Sequence, residues 1–261
     1  MPLFDLRKHG HLYWSFARRE LKFRFAGSVL GVTWTLIGPI ALLSIISLVF
    51  GQLFTQRTEL ATESYTFYVA LALWPWLMFA DGAMRGMLAI QSNASIVKKI
   101  AFPHALLVVA SVTAVFLQHL IAYIVIILLL IGGGSGSIKP AGIPVALFEL
   151  LMLFGFTVGV ALLLASFQTF FRDTEQAVVP VIMMLHYLTP ILYPPSLIPP
   201  AYKWLLSYNP LAILVTRLRE CLQTGASLQV ADGQLLLIAA TTLALGYMVF
   251  TRMSPHFEDF L

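Results

Sequence analysis

Between residues 32 and 250 the chain is a succession of long apolar stretches separated by short polar or proline-rich breaks. Read by length and hydropathy there are six, at residues 32–54, 65–80, 105–131, 143–167, 177–192 and 234–250, each near the roughly 20 residues that a helix needs to cross a bilayer. In hydrocarbon every backbone N–H and C=O must find its partner within the protein, so stretches of this kind are expected to be helices. The expected fold class is all-α, a polytopic membrane protein. Charged residues make up only 11% of the chain and hydrophobic ones 59%, where a soluble domain carries roughly 25% charge. Six spans and their loops fill most of the 261 residues. No separate globular catalytic domain fits, so any energy source is expected on another chain.

The first apolar stretch follows a basic, aromatic segment. Ser15, Arg18, Arg19 and Lys22 stand at i, i+3, i+4 and i+7, one basic helical face, with Leu12, Phe16 and Phe23 as an apolar stripe beside it. A helix of that pattern lies on a membrane surface, anchored to anionic lipid or docking a partner as well. The polar N-terminal segment up to Phe25 argues against a cleavable signal peptide. With both ends placed inside, only Arg57, Lys139, Lys203, Arg217 and Arg219 of the 16 Lys and Arg residues fall outside, in keeping with the positive-inside rule. The expected organisation is a single domain: an interface helix in residues 1–31, spans one to five in 32–192, an external segment in 193–233, span six in 234–250 and a cytoplasmic tail in 251–261.

Several local expectations follow. Asp81 and Arg85, at i and i+4, are set to pair as the second span leaves the hydrocarbon. GGGSGS at 132–137 reads as a flexible external linker. Glu149 lies close enough to the outer end of the fourth span to snorkel or pair. Pro180 and Pro190 interrupt the fifth span, and YPPSLIPP at 193–200 cannot continue it. Two short helical pieces, 201–208 and 211–223 around Asn209-Pro210, are too short and too charged to span, and read as a re-entrant or interfacial pair on the outer side.

Chemistry-bearing motifs are scarce. No GxxxxGK[ST] phosphate loop and no GxSxG elbow occurs in the sequence. Cys221 stands alone, which excludes an intrachain disulfide framework and a cysteine metal cluster. The six histidines are His9, His11, His104, His119, His186 and His256, and they form no HExxH or other close ligand pair, so no metal site is expected. His119 and His186 lie within spans, where an ionisable group is a functional-site hypothesis by default, against the plainer reading of a neutral imidazole bonded to a neighbouring helix. No acidic residue stands near a span midplane, which counts against a proton-coupled carrier. The net charge of +4 gathers in the N-terminal segment, so it reports topology rather than nucleic-acid binding. Aromatic residues crowd the second span (Tyr65, Phe67, Tyr68, Trp74, Trp76, Phe79) and recur as Trp34, Tyr187 and Tyr193. Interfacial belts explain some of them. Trp74 and Trp76 sit deeper, where rings facing a central pathway would stack on sliding sugar faces.

The order of the basic helix, LGVTWTLIGPI (30–40), KKIAFPHALL (98–107), FFRDTEQ (170–176) and TPILYPPSLIPPAYKWLLSYNPL (189–211) resembles ABC-2-type permeases over essentially the whole chain. It is most similar to the membrane subunits of O-antigen polysaccharide exporters, with capsule and teichoic-acid exporters as relatives. That resemblance implies an inner-membrane homodimer, with both termini cytoplasmic, paired with two nucleotide-binding ATPase chains that carry the ATP and magnesium, and no cofactor on this chain. It implies an ATPase interface at Arg18, Arg19, Lys22, Lys98, Lys99, Phe102, Arg172 and Asp173. It further implies a substrate pathway at Trp34, Tyr68, Trp74, Trp76, Tyr187 and Tyr193, and a periplasmic gate at Pro194, Pro195, Tyr208, Asn209 and Pro210. The implied substrate is a polysaccharide on a polyprenyl diphosphate lipid. Rival readings are an ABC-2 permease for a small lipid or drug, a membrane enzyme acting on lipid-linked sugars, and a proton-coupled carrier.

Overall fold

The computed structural model describes residues 6–24, 27–55, 64–100 and 102–261. The polar loop expected after the first span lies outside them but for Ser64. Among the described residues the chain is helical, with no strand. In order the helices are α1 (Leu6–Arg24), α2 (Trp34–Thr55), α3 (Tyr65–Leu88), α4 (Ala94–Val97), α5 (Ala105–Gly132), α6 (Ile143–Phe170), α7 (Thr174–Leu188), α8 (Trp204–Tyr208), α9 (Pro210–Thr224), α10 (Val230–Met253) and α11 (Phe257–Phe260), joined by short 3-10 turns. Four described segments are long and apolar enough to cross a bilayer: Tyr65–Leu88, Ala105–Gly132, Pro140–Phe170 and Val230–Phe260. The chain is thus a multi-pass membrane protein. The apolar part of α2, Trp34–Val49, is shorter, and α7 has 15 residues, about 22 Å of helix where the hydrocarbon core is roughly 30 Å thick.

Helix α3 is the axis of the fold, packed against α2, α5, α6 and α9. Phe67, Leu71, Leu73 and Trp74 have no exposed surface, so the apolar character that marks a span here serves packing between helices on all sides. Pro75 inside α3 has no N–H to give the carbonyl four residues back. That carbonyl, of Leu71, accepts instead from the Tyr123 hydroxyl of α5 at 3.1 Å. Helices α6 and α10 make the other close pairing, through glycines. A Cβ on Gly246 would stand 2.2 Å from the Gly159 carbonyl oxygen, and one on Gly159 would stand 2.6 Å from the Leu243 nitrogen. Small residues here let the two backbones touch.

Helices α3, α5, α6 and α10 outrun their sequence-based bounds, α2 starts two residues late, and α7 is displaced towards its start. That helix stops at Leu188 rather than 192, because Thr189 precedes a proline and is held extended, at φ −94° and ψ 132°. The expected GGGSGS linker is in fact seated: Ser64 N–H donates to the Ser135 carbonyl at 2.9 Å, and a Cβ on Gly136 would run into the Phe67 ring at 2.4 Å. Asp81, expected to pair with Arg85, has its Oδ2 2.9 Å from Nε2 of the buried His119 on α5, so that histidine bonds a neighbouring helix. Glu149 does not snorkel; it has no exposed surface.

Connections sort to two ends. At one, α1, α4, the 98–104 segment, the 171–173 turn and residues 254–261 gather; at the other lie residues 133–142 and 189–229. We expect Gly246→Ala to cost about 1–3 kcal/mol by forcing the helices apart, whereas Gly155→Ala, with nothing within 4 Å of the added methyl, should be neutral or slightly stabilising. Thermal unfolding of the two purified variants in detergent measures the difference.

Candidate functional site

At the end away from α1, the break after α7 releases carbonyls that no helix satisfies, and side chains take all but one of them. The Tyr193 hydroxyl donates to the Tyr187 carbonyl at 2.8 Å and Asn209 Nδ2 to that of Leu188 at 3.4 Å. Ile191 N–H reaches the Thr189 carbonyl at 2.7 Å. Arg219 of α9 takes the next two, Nη1 to Pro190 at 2.5 Å and Nη2 to Ile191 at 2.6 Å. The Tyr65 and Tyr68 hydroxyls finish the run on Leu192 and Tyr193, at 2.7 and 3.2 Å. Arg219 also gives Nε to the Tyr68 carbonyl at 3.0 Å and Nη1 to its hydroxyl oxygen at 2.8 Å, with the guanidinium carbon 3.6 Å from the Tyr68 ring centroid. Burial lowers the pKa of this guanidinium to about 10 against the raising influence of the surrounding tyrosines, which leaves it charged at neutral pH.

Arg217, two residues earlier, points the other way. Its Nε and Nη2 form a fork on Asp232 of α10 at 2.6 and 2.9 Å, Nη1 reaches Glu220 at 2.5 Å, and Nη2 also reaches the Ser227 carbonyl at 3.0 Å. Asp232 doubles as a helix cap, accepting from Gln229 N–H at 2.7 Å. Glu149 of α6 lies in the field of this pair. On its third side α9 touches Gly142, where a Cβ would stand 1.7 Å from the Cys221 carbonyl oxygen. Both arginines read from sequence as external loop charges are buried, at 3% and 4% exposure.

The candidate gate residues fall at this end. Asn209 caps α9, accepting from Leu211 N–H at 3.0 Å while its Nδ2 donates to Thr189 Oγ1 at 3.2 Å. Pro210 opens the helix, where its missing N–H costs nothing. Pro194 and Pro195 are half-buried in the turn that follows the break, and Tyr208 is 81% exposed.

At the α1 end, α1 buries a face one residue off the expected stripe. Tyr13, Phe16 and Ala17 turn towards α5 and the 98–104 segment, with the Tyr13 hydroxyl 2.7 Å from Thr113 Oγ1, while Leu12 and Phe23 are exposed. Arg19 stacks over Phe16 and bonds Asn93 beside α4. Arg18 and Lys22 remain exposed along an open concavity with Trp14 and Ser15. Lys98 and Lys99 are exposed on the α4 segment, the first donating to the Leu261 carbonyl at 2.6 Å. Phe102 is half-buried against Phe16 and His104, with ring centroids 5.5 and 5.2 Å apart. Burial holds the His104 imidazole below its usual pKa. Phe257, fully buried among Phe170, Phe250 and His104, ties the tail to both loops. Arg172 and Asp173 are exposed on the turn between α6 and α7.

The candidate pathway aromatics divide. Trp74 has no exposed surface, Tyr68 is engaged by Arg219, and Trp76 packs edge-on to His186 with centroids 4.4 Å apart, so none of the three reaches the surface of the chain. Trp34 on α2 and Tyr187 on α7 are 52% and 68% exposed, and Tyr193 is half-buried. No residue of α7 is buried, and Val179, Val181, Met183 and Met184 stand exposed beside Tyr187. Among the described residues no group of His, Cys, Asp and Glu is placed to hold a metal ion.

A family model described as ABC-2 type transporter matches residues 11–223, from α1 through α9. The chain belongs to this family. Two O-antigen export system permease proteins (RfbA) of Klebsiella pneumoniae are 27% and 29% identical to it over 246 and 249 residues, 93% of this chain and 92% of theirs. A protein of the same name from Myxococcus xanthus is 29% identical over 216 residues, 81% of this chain and 80% of its own. The polysialic acid transport protein KpsM of Escherichia coli is 25% identical over 235 residues, 89% of each chain. As an ABC-2 type transporter the chain is a membrane permease, and its charged and aromatic clusters at the two ends are read as parts of a transport machine. Removing the carboxylate of Asp232 leaves Arg217 buried without its fork, so Asp232→Ala should destabilise the permease by about 3–5 kcal/mol. Glu220→Ala, at a 39% exposed partner, should cost about 1 kcal/mol or less, as read by thermal unfolding.

Proposed function

We propose that this chain is the permease subunit of an ATP-driven exporter that moves a polyprenyl-diphosphate-linked polysaccharide, O-antigen-like, across the inner membrane. The observation that carries this reading is the near end-to-end similarity to permeases named for O-antigen export. In this reading α2 and α7 complete six spans, both termini are cytoplasmic, and a separate nucleotide-binding subunit docks at the α1 end. Arg18, Lys22, Lys98, Lys99, Arg172 and Asp173 are among the exposed charges there. Arg19 and Phe102 brace that surface from within. Arg18 and Lys22 are also placed to meet the substrate's diphosphate, in competition with the docked subunit.

Two copies would face one another across α2 and α7, where Ile37, Ile45, Leu48, Val181, Met183 and Met184 stand exposed. Between them Trp34 and Tyr187 offer flat rings to sugar faces, and Tyr193 stands at the outer mouth. Residues 194–208 close that mouth. A polymer has to slide, and stacking supports sliding because a ring face holds no single register. The low intramembrane charge of the chain fits a passage of that kind.

Reconstitution of the permease with its ATPase subunit in vesicles tests the proposal. Polymer export should require ATP and survive collapse of the proton gradient; export that follows the gradient without ATP would replace this reading with the carrier. Lys98→Glu with Lys99→Glu should uncouple hydrolysis from export while the helices stay folded, and native export and native subunit affinity in that double variant would remove the segment from coupling. Trp34→Ala and Tyr187→Ala should each slow long-polymer export through loss of about 1 kcal/mol of ring contact. Native rates in the double variant would favour a small-lipid permease.

A further inference from the structure

Residues 190–209 leave the helical body and return to the point of departure, since the Asn209 amide donates to Thr189 Oγ1 at 3.2 Å. The excursion is an enlarged Ω-loop. Its neck is buried, with Thr189 and Ile191 at 0% exposure, whereas Leu197, Tyr202, Trp204 and Tyr208 on its outer part are 44–81% exposed. Helix α8 within it packs mainly on α9 and on the turn before it.

Helix α9, by contrast, is held on three sides. Arg217 forks onto α10, the Cys221 carbonyl abuts Gly142, and Arg219 reaches α3 and the neck. Residues two apart on a helix point roughly 200° from one another, which is how one helix sends an arginine to each side. Arg219 uses Nε, Nη1 and Nη2 on four acceptors, three of them backbone carbonyls. No lysine covers that fork from one point.

We infer that Arg219 is the positioning residue of the outer gate: it pins the neck of the 190–209 loop to α3 and α9, so that α9 is the fixed post and the exposed part of the loop is what moves. This rests on the reading of the outer segment as a gate. In that arrangement opening needs no change in α9, and loss of the guanidinium frees the neck and lets the loop gape at rest.

The chain carries its own reporter, its single cysteine, Cys221, which is fully buried on α9 two residues beyond Arg219. The test uses membrane vesicles holding the permease with its ATPase subunit, without nucleotide. A membrane-impermeant maleimide reads Cys221 and a trapped anionic dye reads leak. The native protein should label slowly and hold the dye. Arg219→Met should leak severalfold faster while still binding the ATPase subunit, and its Cys221, which stands on the fixed α9 on the side away from the neck, should still label as slowly as in the native protein. Arg219→Lys should leak at an intermediate rate, and Tyr68→Phe, which removes one hydroxyl but keeps the ring, should show a smaller rise in leak. Native leak in Arg219→Met, or raised leak accompanied by fast Cys221 labelling, overturns the inference. If that variant does not accumulate, Arg219→Lys and Tyr68→Phe decide, raised leak with slow labelling supporting the role and native leak overturning it. Neither readout involves polymer, so a failed export assay and a failed Arg219 test remain distinguishable.

Discussion

A backbone carbonyl set free inside a membrane protein has to be given a donor by the protein, and the outer half of this structure is arranged around one place where that need is acute. Pro190 ends α7 about two turns short of a full crossing, and the carbonyls from Tyr187 to Tyr193 are then served in turn by two tyrosine hydroxyls from α3, a third within the turn, one amide, one backbone N–H and the Arg219 guanidinium. Tyr65, Tyr68, Asn209 and Arg219 come from segments far apart in the chain. The stop of one helix thereby fixes the placement of two others, α3 and α9. The same logic appears on a smaller scale at Pro75, whose orphaned Leu71 carbonyl draws in Tyr123 and registers α5 against α3.

The body that results is unevenly packed. Helices α3, α5, α6, α9 and α10 bury one another, with α3 enclosed along its length and α6 and α10 in glycine contact. Helices α2 and α7 lie outside that body and keep broad apolar faces open. Under the proposal that a second copy completes the passage, rearrangement can occur between copies without breaking the core of either. At the α1 end the aromatic chain from Phe16 through Phe102, His104 and Phe257 to Phe170 ties α1, both loops and the tail into one surface.

Composition and the spacing of apolar stretches were enough to read an all-α membrane chain, the position of most helices to within a few residues and the basic helix before them, because a requirement as strict as backbone satisfaction in lipid leaves few alternatives. The family was legible only through the resemblance of ordered motifs such as KKIAFPHALL and FFRDTEQ. Helix caps were also legible where local chemistry sets them, as at Asn209-Pro210. Which aromatics face a passage was not legible. Belt, core and pathway rings have the same composition, and only the packing puts Trp74 inside and leaves Trp34 and Tyr187 outside.

The charges mark the same division most sharply. By itself the sequence determined how many there are and where in the chain they stand. Whether a charge is solvated or structural depends on partners distant in sequence: Arg217 finds Asp232 15 residues on, and Arg219 finds Tyr68 151 residues back. Both look like loop charges until α9 is laid between α3 and α10. Tertiary structure alone decided their roles, because burying a guanidinium is tolerable only where acceptors from several helices converge on it.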